Sequence, residues 1–150
     1  AGSYDNEGVA IFALVITFYF WVKSVNTGSV LVSVGCVVSL FYMVAAWGGY
    51  SFIVNIVPMF VVGTIFVDRF SMKVYVAYSV FYVLGTVAAM LIPFVGFQAI
   101  LSSEHLASHG VFFVMNVYVG VQQVRSRVSE RQFQVLSKVV LGGATFAFIF

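Results

Sequence analysis

Val74-Tyr75-Val76-Ala77-Tyr78-Ser79-Val80-Phe81-Tyr82-Val83-Leu84-Gly85-Thr86-Val87-Ala88-Ala89-Met90-Leu91-Ile92 holds no charged residue and no proline. At about 1.5 Å of rise per residue, a helix of this length crosses the roughly 30 Å hydrocarbon core of a bilayer. Polar and apolar residues do not alternate with period two, so the stretch does not read as a strand of a membrane barrel. Lipid offers no partners for backbone N–H and C=O groups, and a helix satisfies its own. Outward from this run, similar apolar stretches fall at 8–22, 29–46, 50–67, 110–124 and 133–150. The first needs its polar flanks to reach full length, the fifth contains Asn116, Gln122 and Gln123, and the sixth begins polar. Pro58 lies inside the third and is expected to kink it. The expected fold is an all-α membrane protein with about six transmembrane helices.

Composition agrees. Of 150 residues, 62% are hydrophobic, 18% aromatic and only 8% charged, against about a quarter charged in soluble domains. The single cysteine, Cys36, cannot form an internal disulfide and reads as a small buried hydrophobe. No repeat, low-complexity tract or shift of composition divides the chain. Residues 1–150 are therefore expected to form one partial transmembrane domain cut at both ends, because Ala1 is not Met and Phe150 closes an apolar run.

Basic residues then orient the spans. Lys23, Arg69, Lys73, Arg125, Arg127, Arg131 and Lys138 fall in or beside alternate connections. The start of the chain, the turn Trp47-Gly48-Gly49 and the stretch 93–109 have neither Lys nor Arg. The positive-inside rule makes the basic connections cytoplasmic and the start of the chain luminal or extracellular. Stretch 93–109 opens Pro93-Phe94-Val95-Gly96-Phe97, too apolar for a free solvent loop, and is expected to lie in the membrane interface or to pack against a part of the protein outside this chain.

Three groups of residues could carry chemistry. Ser3-Tyr4-Asp5-Asn6-Glu7-Gly8 sets two carboxylates one residue apart at the mouth of the first span. On a looped backbone Asp5 and Glu7 can share a hard divalent cation, and two ligands leave most of its sphere open to a phosphate-bearing substrate. The alternative is structural, with Asp5 or Asn6 capping the helix and Glu7 favouring the positive end of its dipole. Ser102-Ser103-Glu104-His105, with His109, could bind zinc if helical, or could simply be polar at a membrane surface. Trp47 and Tyr50 flank the glycine turn as an aromatic belt would, or as rings that stack on a sugar. No Asp, Glu, Lys, Arg or His falls in the middle of a span, which argues against an ion-coupled translocation pathway.

Several strings together carry a resemblance: 2–8 with Ala10-Ile11-Phe12; Phe41-Tyr42-Met43-Val44 with Ala46-Trp47-Gly48-Gly49-Tyr50; Tyr75-Val76-Ala77-Tyr78; Phe81-Tyr82-Val83-Leu84-Gly85-Thr86; and Pro93-Phe94-Val95-Gly96-Phe97-Gln98 before Ser102-Ser103-Glu104-His105. The chain, to about Leu136, resembles the membrane region of the catalytic subunit of eukaryotic oligosaccharyltransferase. That resemblance implies part of a GT-C-type glycosyltransferase of the endoplasmic reticulum membrane. Its reaction would move a preassembled oligosaccharide from dolichyl diphosphate to Asn in Asn-x-Ser/Thr of nascent proteins, with inversion at the anomeric carbon. It implies Asp5 and Glu7, matching the family's second acidic motif, as catalytic ligands of Mn2+ or Mg2+. Implied partners are the dolichyl-diphosphate oligosaccharide, the acceptor polypeptide, membrane lipid and other oligosaccharyltransferase subunits, with no nucleic acid. The family's first acidic motif, its Ser-Val-Ser-Glu motif and its Trp-Trp-Asp-Tyr-Gly motif do not occur here, so the segment alone is expected to be inactive. Two alternatives are another GT-C enzyme using a dolichyl-phosphate sugar, and a noncatalytic membrane subunit.

Overall fold

The computed structural model describes residues 6–149, with side chains described for 7–145. Among the described residues there is no strand. The helices are α1 (Asn6–Thr27), α2 (Val30–Ala46), α3 (Ser51–Phe66), α4 (Met72–Met90), the short α5 (Gln98–Leu101), α6 (Leu106–Arg127) and α7 (Glu130–Ile149). Six of them coincide with the six apolar stretches. By length and composition three can cross a membrane, namely Glu7–Thr27, Gly48–Phe66 and Met72–Met90, which makes this a multi-pass membrane protein. Val30–Ala46 is apolar but shorter. Helix α6 falls short of that standard because Gln122 to Arg127 lie inside it rather than beyond it.

Two compact units divide the chain, residues 1–113 and 114–150. In the first, α1 and α2 form an antiparallel hairpin with polar contacts at its interface. The hydroxyls of Ser24 and Ser33 bond across it, both buried, and the Cys36 thiol donates to the carbonyl of Thr17 at 3.4 Å. Phe20 packs on Gly35, where an added Cβ would sit 3.3 Å from its ring. Small residues at these positions let the two backbones approach, as helix pairs in lipid require. Buried Trp21 ties the hairpin to its neighbours, its ring 6.0 Å from Phe60 of α3 and 5.6 Å from Phe81 of α4.

Hydrogen bonds fix which connections share an end. At one end Gly28 closes α1 with φ +68°, the side chain of Lys73 lies over it, and Lys73 Nζ donates to the carbonyl of Asn26 at 3.1 Å. The α1–α2 and α3–α4 connections, with Arg69 in the second and Lys23 and Lys73 in the helix turns beside them, therefore lie together. At the other end Tyr50, after α2, packs against His105 of stretch 93–109, ring centroids 5.8 Å apart. Extending the antiparallel register of α1 and α2 brings the first turn of α1 to that same end.

Helix α3 continues through Pro58. Proline has no N–H, so the carbonyl of Val54 loses its helical donor. Ser108 Oγ supplies one from α6 at 2.7 Å, in a fully packed setting. A neighbouring hydroxyl commonly does this for proline in membrane helices.

Candidate functional site

Glu7 stands in the first turn of α1, exposed, and its carboxylate makes no hydrogen bond or ion pair among the described residues. Asp5 lies outside the described residues. A solvated carboxylate with no basic partner is open to a hard cation, which is the donor chemistry Mg2+ and Mn2+ select. No group of three or more His, Cys, Asp or Glu gathers among the described residues.

The Trp47 turn lies at the same end. Trp47 has an extended backbone, φ −159°, and its ring covers Gly49 so closely that a Cβ there would lie 2.2 Å from it. A side chain at position 49 would force that ring to shift. Trp47 remains 43% exposed, whereas Tyr50 is buried against the imidazole of His105. Of the two aromatics proposed from sequence to face a sugar, only Trp47 has an open face.

Stretch 93–109 is not a loop in the ordinary sense. Turns from Leu91 to Phe97 lead into α5, then a single 3-10 turn at Ser103–His105, and α6 begins at Leu106, taking His109 into the helix. Ile92, Val95 and Ala99 are buried in the bundle, while Phe94, Phe97 and Leu101 are exposed. One face thus packs on the bundle of this chain and the other is apolar and uncovered.

The two histidines do not form a metal pair. His109 Nε2 meets the carbonyl of Ile100 at 3.2 Å and its Nδ1 meets the hydroxyl of Tyr82 at 2.8 Å. A carbonyl only accepts, so Nε2 carries the proton and Nδ1 accepts from Tyr82, leaving no lone pair for a metal. His105 Nδ1 bonds the hydroxyl of Ser102 at 2.8 Å, and its Nε2 is buried without a partner. Burial holds the His105 pKa below its ordinary value; the His109 charge acts in the same direction and Glu104 opposes it. Glu104 itself is exposed.

Sequence reading missed Tyr78 and Ser108. The Tyr78 hydroxyl donates to the Ser108 carbonyl at 2.9 Å, and the Ser108 hydroxyl donates to Val54, so one residue of α6 links α3 and α4. Pro58 was the available signal, since it predicts an unpaired carbonyl four residues earlier. Which hydroxyl answers it is not written in local sequence.

A family model described as oligosaccharyl transferase STT3, N-terminal, matches residues 1–147. The chain belongs to this family. Among curated STT3 relatives, it is 46% identical over 145 residues to the dolichyl-diphosphooligosaccharide–protein glycosyltransferase subunit stt-3 of Caenorhabditis elegans, covering 97% of this chain. It is 45% identical over 141 residues to subunit STT3 of Dictyostelium discoideum, covering 94%. Against subunit STT3B of Arabidopsis thaliana the identity is 46% over 145 residues, covering 96%. The chain spans about a fifth of the length of these STT3 relatives.

Proposed function

We propose that this chain forms the membrane-embedded, acidic-motif portion of an oligosaccharyltransferase that moves a dolichyl-diphosphate-linked oligosaccharide to Asn of Asn-x-Ser/Thr in nascent proteins. The observation that carries the proposal is the family match over residues 1–147 together with 45–46% identity to subunits bearing that enzyme's name. The full reaction belongs to the longer polypeptide and to the subunits that assemble with it in the endoplasmic reticulum membrane. In this reading Asp5 and Glu7 hold Mn2+ or Mg2+, and the exposure of Glu7, with no partner among the described residues, supports it. When bound, the ion supplies stabilisation of the negative charge on the departing diphosphate.

The chain's own residues supply the setting. Glu7, the exposed ring of Trp47 and the uncovered apolar side chains of Phe94, Phe97 and Leu101 belong to the end of the first unit that lacks Lys and Arg. That end is the luminal one in this reading, where an oligosaccharide and a nascent chain are both present. Apolar residues there suit an isoprenoid tail entering from lipid, and an open indole face suits the flat faces of a sugar.

The test uses full-length enzyme carrying Asp5→Ala or Glu7→Ala, with an Asn-x-Thr peptide and dolichol-linked oligosaccharide under Mn2+ titration. The proposal expects loss of about 10²-fold or more in turnover, with part of the loss recovered at higher Mn2+ and folding unchanged. Full activity in both variants would return the pair to helix capping.

A further inference from the structure

We propose that the first unit binds one buried water molecule between α2, α3, α4 and the start of α6, with His105 Nε2 and the hydroxyls of Thr86, Tyr82 and Ser108 as its partners. These four side chains line one cavity of about 20 Å³. His105 is only 5% exposed, and its Nε2 is buried with no hydrogen bond. The Thr86 hydroxyl likewise makes no hydrogen bond among the described residues. Leaving a buried imidazole nitrogen unpaired costs more than immobilising a water beside it. The space matches, since a water needs about 10–15 Å³ of such volume and at least two polar partners.

The pattern of donors and acceptors selects water over other occupants. Tyr82 donates to His109 Nδ1 and Ser108 donates to the Val54 carbonyl, so each of these hydroxyl oxygens has only lone pairs left to offer. Thr86 still has a proton to give. His105 Nδ1 bonds the Ser102 hydroxyl at 2.8 Å, which leaves Nε2 a lone pair in one neutral tautomer and a proton in the other. With two protons and two lone pairs, water answers either tautomer. A cation would also meet lone pairs, but no carboxylate lines the cavity, and Leu40, Val54 and Phe81 make its other walls apolar. A buried charge with no counter-charge is far costlier than a buried neutral molecule. The water joins α4 to the 3-10 turn at Ser103–His105 and to α6, and so holds the end of stretch 93–109 on the bundle. The site depends on the packing of the first unit and not on transferase activity.

The test is a cryo-EM map of a full-length STT3 enzyme carrying this chain, at a resolution that shows ordered water. One peak is expected at about 2.7–3.2 Å from both His105 Nε2 and Thr86 Oγ1. Thr86→Val, which keeps the shape of the side chain and removes the hydroxyl, should weaken the peak. His105→Phe, which keeps a flat ring and has no ring nitrogen, should lose it. A parent map with no peak among well-resolved side chains overturns the proposal, so the test does not depend on either variant folding. Contacts of about 2.3–2.6 Å, those of oxygen ligands on a metal cation, overturn it as well. A peak that keeps its full height in both variants does the same.

Discussion

Ser108 is a side chain whose role follows from a residue in another helix. Its hydroxyl replaces the N–H that Pro58 cannot offer to Val54. Ser108→Ala should therefore cost about 1–2 kcal/mol, the penalty of a buried carbonyl left unpaired. In a Pro58→Ala background the helix regains its own donor, and the same substitution should cost close to nothing. A double-mutant cycle on thermal unfolding in detergent checks this, and additive costs would sink the assignment. His105 makes a second prediction at this scale. Burial lowers its folded-state pKa below the ordinary value near 6.5, so between the two values the unfolded chain binds more protons. The stability it contributes is fully present above about pH 6.5 and is lost as pH falls below it. Melting temperature should decline on that acid side. His105→Asn, which retains a polar atom for Ser102 and cannot protonate there, should flatten the decline, and an unchanged slope would show that another group titrates.

At the scale of elements, the basic end of the first unit is held by the α1 terminus. Gly28 has φ +68° and leaves room for the Lys73 side chain, whose Cγ would lie 2.9 Å from an added Cβ. Gly28→Ala should cost about 1–2 kcal/mol, combining left-handed strain with displacement of Lys73. Adding Lys73→Ala should recover the contact part but not the strain, so the melting temperature of the pair should lie between Gly28→Ala and the parent. Position 68 solves the same problem differently, with Asp68 at φ 55° closing α3 while Arg69 N–H bonds the Thr64 carbonyl at 2.9 Å. Short polar side chains tolerate that region better than most, so one connection uses glycine and the other aspartate.

For the whole molecule, the grouping of connections predicts a labelling pattern. Lys73 bonded to Asn26 joins the basic connections, and Tyr50 against His105 joins the others. Cysteines introduced singly at Arg69 and at Phe97, in a Cys36→Ser background, should react with an impermeant maleimide from opposite faces of a sealed microsome. Arg69→Cys should label from outside the vesicle and Phe97→Cys only after permeabilisation. Labelling of both from one face would break the alternating topology.

The apolar runs, their helical state and the grouping of the basic connections of the first unit were all legible from residue order. Hydrocarbon solvent forces each long apolar run to satisfy its own backbone, so helix follows from composition and length alone. The limits of α6 and α7 were less legible, because Gln and Arg side chains inside a helix look the same in sequence as those in a connection. Only the tertiary structure decided that Ser108 answers Pro58, that Tyr50 is closed against His105 while Trp47 stays open, and that His109 bonds Tyr82 and Ile100 while His105 bonds Ser102 through Nδ1 alone. Those outcomes depend on which helix faces meet. Helix faces in lipid are chosen by small-residue packing and hydrogen bonds between segments far apart in the chain, a choice that no local pattern of residues encodes.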